Sequence, residues 1–226
     1  MKVLVDLTQD EVSATNLADL KEDEKVTITL DKEKCEKNYL RFNDTGDLVR
    51  ETPEAVEKYA KKGFPYELCV QGSKTLKSSR GYWVVELKQT NVQTKKSWLI
   101  GVARLPCTIG ANKSDFTQSE GFWFLYSDPE KGVRVNSEPE VTLVVKTPPE
   151  RIGVLLDFDK GQLAFYNLTN GVCLLTMLNN VKGELVPLFN PGIGDESPLK
   201  IINPQVQTQN QPKESGGVQA SNANQH

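Results

Sequence analysis

Histidine is nearly missing from this chain: its one copy, His226, is the last residue, at the end of a polar stretch. Catalytic arrangements built on an imidazole, Ser-His-Asp or Cys-His, are therefore excluded, and with them most acyl-transfer and protease mechanisms. Cysteine is sparse as well. Cys35, Cys69, Cys107 and Cys173 are widely separated, no two form a Cys-x-x-Cys pair, and Cys69 and Cys173 stand in apolar, strand-like surroundings. That usage predicts reduced thiols in a cytoplasmic protein rather than a disulfide framework or a zinc site. Long apolar runs are lacking: Met1-Lys2-Val3-Leu4-Val5-Asp6 falls short of a signal-peptide core, and nothing approaches a membrane span. Positive charge has no surplus either. The net charge of −3 leaves no basic face to neutralise phosphates, so nucleic acid is not an expected partner, and Lys61-Lys62 and Lys95-Lys96 read as solvated loops. No Gly-x-Ser-x-Gly elbow, phosphate loop or dinucleotide fingerprint occurs; Gly192-Ile193-Gly194 lacks the third glycine and the helix that would follow it. No metal and no cofactor are expected, and without an internal repeat neither propeller nor solenoid is indicated.

What the chain does have is a succession of short alternating segments. In residues 151–177, Ile152, Val154, Leu156 and Phe158 alternate with other residues, and the alternation resumes at Leu163 and Phe165 after Asp159-Lys160-Gly161. Asn170-Gly171 then precedes Cys173-Leu174-Leu175-Thr176-Met177, so this stretch predicts a three-stranded antiparallel meander with Gly161 at a positive-φ turn position. Asp157-Phe158-Asp159-Lys160-Gly161 begins like a calcium loop, but glycine stands fifth rather than sixth and a hydrophobic strand follows, so it reads as a polar turn. Further strands are predicted at Val26–Leu30, Tyr82–Leu87, Trp98–Ala103, Gly121–Tyr126, Val141–Val145, Leu185–Phe189 and Leu199–Ile202, and one interior helical turn at Pro53–Tyr59. Many short strands without long helical periods indicate an all-β antiparallel sandwich. Thr8-Gln9-Asp10-Glu11 is a capping-box pattern, so residues 1–25 are either a short helix or a linker. Residues 204–226, rich in Gln, Asn, Ser and Gly, are expected to be disordered.

Three motifs together resemble a known family. Leu30-Asp31 closes the Val26 segment, Tyr82-Trp83-Val84-Val85-Glu86-Leu87 follows Ser78-Ser79-Arg80-Gly81, and Leu156-Asp157-Phe158-Asp159-Lys160-Gly161 runs into Leu163-Ala164-Phe165-Tyr166-Asn167. With Gly101-Val102-Ala103-Arg104, Gly121-Phe122-Trp123, Arg151-Ile152-Gly153-Val154 and Pro187-Leu188-Phe189-Asn190-Pro191-Gly192 in the same order, the chain resembles the PRY-SPRY domain found at the C-terminus of tripartite-motif ubiquitin ligases and butyrophilins. The resemblance covers residues 26–203, with the PRY part at about 26–75 and the SPRY part at about 76–203. Departures fall at Lys32, Gly81 and Val84, and Gln89–Lys96 is longer than the family's usual turn.

The resemblance implies a bent two-sheet β-sandwich, a concanavalin-like jelly roll that acts as a non-catalytic recognition module, monomeric by itself, with function in loops at one end. Matched position by position, the family's protein-binding pocket falls on Leu105, Tyr126, Asp128 and Ile193. A tyrosine beside an aspartate suits a binding hot spot, the ring burying area while hydroxyl and carboxylate impose orientation. Trp83, Trp98 and Trp123 sit within strand patterns and are expected in the core. The implied function is capture of a target protein, as in substrate selection for a ubiquitin ligase in innate immunity. Two alternatives stay open: a carbohydrate-binding sandwich, which exposed aromatic platforms would support, and a glycoside hydrolase working through two carboxylates.

Overall fold

The structure is a computed structural model that describes residues 20–110, 113, 116–178 and 181–204. Among these described residues thirteen strands form two antiparallel sheets. The first has the order β1 (Leu40–Phe42), β2 (Leu48–Glu51), β13 (Leu199–Ile202), β4 (Arg80–Glu86), β9 (Arg151–Asp157), β10 (Gln162–Asn167), β11 (Val172–Leu178). The second runs β3 (Val70–Gln71), β12 (Leu185–Asn190), β5 (Trp98–Arg104), β6 (Phe122–Asp128), β7 (Gly132–Val135), β8 (Val141–Thr142). The chain is an all-β sandwich, as its alternating pattern predicts, and the meander is β9, β10 and β11 in consecutive pairing.

Alternation sorts the side chains between faces, because successive residues of a strand point to opposite sides of a sheet. Trp83 and Val85 of β4, Trp98, Ile100 and Val102 of β5, and Trp123 and Leu125 of β6 enter the inter-sheet core, and all three tryptophans are fully buried. Each fully buried side chain of this size stabilises by about 1.5–3 kcal/mol. The intervening residues are covered too. Leu99, Phe122, Phe124 and Tyr126 form a second apolar cluster on the opposite face of the second sheet, roofed by Phe64, Tyr66 and Phe116. Tyr82, Val84, Leu155 and Tyr166 form a third beneath Leu20 and Leu168. Strands buried on both faces explain why Tyr82–Leu87 and Gly121–Tyr126 read as nearly continuous apolar runs. Gly101 lets β5 and β6 meet: a Cβ there would lie 2.1 Å from the Trp123 carbonyl oxygen.

Three expectations change. Val26–Leu30 is not a strand. Ile28 and Leu30 are buried, as the alternation requires, but the Asn203 side chain accepts from the Ile28 N–H and donates to its carbonyl, both at 2.8 Å, in place of a ladder. The Val141 strand ends at Thr142. Lys95 is not solvated; its side chain is fully buried, for the reason given below. The Pro53–Tyr59 helix (α1) forms, capped by the Thr52 hydroxyl, which accepts from the Ala55 N–H at 3.3 Å. β1, β2, β3 and β7 carry no alternation long enough to have been read beforehand. The expected N-terminal helix at Thr8–Glu11 and the tail beyond residue 204 lie outside the described residues. Among the described residues no helix is long and apolar enough to cross a membrane, and Cys35, Cys69 and Cys107 are free.

Candidate functional site

Three loops meet at one end of the sandwich: residues 93–97 before β5, Asp128–Lys131 between β6 and β7, and residues 192–197 before β13. The first and third are clamped together by a buried ion pair. The Lys95 ammonium donates to Asp195 Oδ1 at 2.7 Å and to the Ser197 carbonyl at 2.7 Å. Asp195 Oδ2 accepts from the Lys96 and Ser97 amides at 2.9 and 3.0 Å. Lys95 is thus withdrawn from water by a carboxylate about a hundred residues away, a partner that no local pattern reveals. Gly192 permits the approach: at φ +60° it lies where a Cβ would stand 2.1 Å from Ser97 Oγ. Asn190 completes the frame. Its side-chain NH2 donates to the Pro65 carbonyl at 2.8 Å, and its oxygen accepts from the Gly192 amide at 2.8 Å.

Two clefts open on this frame and share the Asp128–Pro129 ridge. One, of about 430 Å³, has apolar walls from Trp98, Val133, Leu143, Val145, Pro148 and Pro149, with Lys96 at its rim. The other, of about 360 Å³, is lined by Val56, Phe64, Pro65, Ser97 and Ile193. Asp128 is buried and closes the β6–β7 turn, its Oδ1 accepting from the Glu130 and Lys131 amides at 2.9 and 3.3 Å. Ile193 is half-buried on the wall of the smaller cleft, with its amide donating to Ser97 Oγ at 3.3 Å.

Asp128 and Ile193 are therefore brought together. Tyr126 lines neither cleft. It shares the parity of Phe122 and Phe124, so its ring enters the second apolar cluster and reaches the site only through Phe64, whose ring lies 5.0 Å away. Its hydroxyl donates to Glu140, which also pairs with Arg134. Burial, reinforced by that hydrogen bond, pushes the phenol well above its ordinary range. Leu105 lies at the opposite end of the β5–β6 pair, half-buried against the same cluster. It stands six positions beyond Leu99, the partner of Tyr126, which is about 20 Å along the sheet. Phe64, Ser97 and Asp195 join the site without a signal in the sequence.

Chemically this end offers apolar walls, preset loops and a few oriented polar groups, a combination suited to holding a side chain or loop of another molecule. Asp195 gives both oxygens to Lys95 and two amides, which removes it from use as a nucleophile or base in a two-carboxylate mechanism. The exposed large apolar side chains among the described residues are Val144 and Leu178, and neither is an aromatic platform for a sugar.

Comparison with known proteins converges on one family. Residues 80–202 match the family model of the SPRY domain. The chain is 30% identical over 187 residues to the E3 ubiquitin-protein ligase TRIM69 of Rattus norvegicus, covering 79% of this chain and 35% of the relative. It is also 30% identical over 187 residues to butyrophilin subfamily 1 member A1 of Homo sapiens, covering 78% and 32%. It thus spans about a third of the length of these relatives. Among solved structures, the TRIM65 PSpry domain superposes with a TM-score of 0.63 at 17% identity, covering 80% of this chain and 92% of that one.

Proposed function

The chain belongs to the SPRY domain family, whose members are generally protein-interaction modules, and on that premise we propose that it captures a target protein at the two clefts flanking Asp128–Pro129. In this role the domain is non-catalytic, monomeric and cytoplasmic, a PRY-SPRY unit over residues 26–203 that selects substrates for a ubiquitin ligase in innate immunity. The observation that supports the reading best is the shared ridge: Asp128 and Pro129 line both clefts, between apolar walls held in place by the Lys95–Asp195 clamp. A preset concave surface of this kind loses little conformational entropy on binding. Asp128 and Ile193 contribute directly, Tyr126 supports the Phe64 wall, and Leu105 extends the contact only for a partner that reaches along the sheet.

The test is capture from cell lysate followed by mass spectrometry, comparing the wild type with Ile193→Asp and with Leu178→Asp. The control residue is exposed on β11 in the other sheet. The expected result is at least about a tenfold loss of captured partner for Ile193→Asp, corresponding to about 1.4 kcal/mol, with Leu178→Asp unchanged. Equal capture by both variants would place the site elsewhere.

A further inference from the structure

A third cleft of about 570 Å³ opens beside the other two, on the far side of Val56 and Gly194, and Glu51 lines it together with Arg41, Arg50, Thr52, Asp195 and Glu196. Glu51 ends β2 and pairs with Leu40 across the β1–β2 ladder. It is 5% exposed, yet its Oε2 is buried without a hydrogen-bond partner. The one buried cation among the described residues, Lys95, is committed to Asp195 and to the Ser197 carbonyl. A buried and a partly buried carboxylate, Glu51 and Asp195, thus compete for one buried ammonium, and Glu51 is the one left over. Burial pushes its carboxyl above the usual glutamate range, opposed by the charge of Lys95, its own backbone amide and Arg50, and reinforced by Asp195.

We propose that this cleft is a subsite for a basic side chain of the partner protein, an arginine or lysine that enters beside Val56 and places its N–H groups on the Glu51 carboxylate. The inference rests on reading this end of the sandwich as a protein-binding face, and it adds the chemistry of one residue of the partner.

Burial energetics decide between this and the opposite choice. Arg41 and Arg50 stand opposite each other in the β1–β2 register, both exposed and neither in an ion pair among the described residues, so an anion on the rim is the competing occupant. Exposed guanidinium ions are hydrated, and pairing one gains little. A buried carboxylate oxygen without a donor forfeits its hydration, and a charged hydrogen bond to it gains more than an exposed pair does. The larger unmet demand is for a donor that carries positive charge. A guanidinium meets it best, because its fork of N–H groups matches a carboxylate.

The experiment is a chemical-shift titration of the whole chain by NMR with three small probes: Nα-acetyl-arginine amide, Nα-acetyl-glutamine amide and Nα-acetyl-glutamate amide. The arginine probe is expected to shift the amides of Thr52, Asp195 and Glu196 with a dissociation constant of about 1 mM or a few-fold weaker, and the other two to leave them in place. Glu51→Gln keeps the shape, removes a buried unpaired charge and leaves the fold intact, yet should weaken the arginine probe about tenfold. Arg41→Gln with Arg50→Gln should bind that probe at least as well as the wild type. Binding of the glutamate probe alone, unchanged binding to Glu51→Gln, or no shift with any probe would each overturn the proposal. The probes report on Glu51 without any partner, so their failure leaves the Ile193 test standing, and failure of the Ile193 test leaves this one standing.

Discussion

The turns Asp128-Pro129-Glu130-Lys131-Gly132 and Asp157-Phe158-Asp159-Lys160-Gly161 begin at a buried aspartate that ends a β-strand and finish at a glycine with positive φ, +76° and +59°. In both, the aspartate Oδ1 accepts from the amide of the lysine three residues on, at 3.3 Å in the first and 3.0 Å in the second. They differ at the second position. Phe158 turns inward and packs against the main core, whereas Pro129 stays exposed between two clefts. Their neighbours differ as well: the first turn lies beside loops 93–97 and 192–197, while Asp157 lines none of the three clefts. The same aspartate-to-lysine-amide hydrogen bond therefore serves a scaffold hairpin in one place and a binding ridge in the other, and the assignment of role belongs to the surroundings.

The strongest way to break this contrast is to remove the clamp that the first turn has beside it and the second lacks. Lys95→Ala strips the partly buried Asp195 of its cation, and chemical denaturation should show a loss of about 3–5 kcal/mol; a loss within the range of an exposed pair would show that the loops are held by other contacts. Next come the glycines. Gly132→Ala and Gly161→Ala each force an L-residue into the left-handed region, and similar losses of about 1–2 kcal/mol are expected from thermal melts; sharply unequal values would undo the likeness of the turns.

Smaller in stability and sharper in meaning is the aspartate pair. Asp128→Asn and Asp157→Asn retain an acceptor for the lysine amide, so each should lose about 1 kcal/mol or less. Partner retention should fall for Asp128→Asn alone, and a loss for Asp157→Asn would move the site to the other hairpin. The smallest effect concerns pH. The carboxyl of Glu51 is raised in the folded chain above its ordinary value of 4.5. Its contribution to stability is therefore present below that value and is lost as pH rises through the folded one. Glu51→Gln should match the wild type in acid and become the more stable protein as pH climbs above 4.5, a gap that urea titrations at several pH values would measure. A gap that closes with rising pH would reverse the assigned direction.

Much of the scaffold was legible beforehand because burial leaves a periodic record. Ile152, Val154 and Leu156 mark β9, Leu163 and Phe165 mark β10, and the tryptophans fall in the core as their strand patterns require. The same record misleads where burial is achieved without a ladder, as at Ile28, whose backbone bonds go to Asn203. It says too little where both faces of a strand are covered: Tyr126 looked available because a strand-end tyrosine beside an aspartate resembles a hot spot, yet Phe64 and Tyr66 close over it. Lys95 was misread for a related reason. A lysine pair in a loop is usually solvated, and only Asp195, brought in by the β12–β13 connection, takes this one out of water.

By itself, then, the sequence determined the class of fold, the meander, the helix at Pro53 and the absence of imidazole chemistry, since alternation, turn residues and composition are properties of neighbours along the chain. Only the tertiary structure decided which turn became a ridge, that Asp128 and Ile193 share a cleft while Leu105 does not, and that Glu51 Oε2 is left without a donor beside a committed Lys95. These outcomes depend on residues from β2, the 93–97 loop and the 192–197 loop meeting in space, and a buried charge is satisfied or stranded by whatever folds against it rather than by what precedes it in the chain.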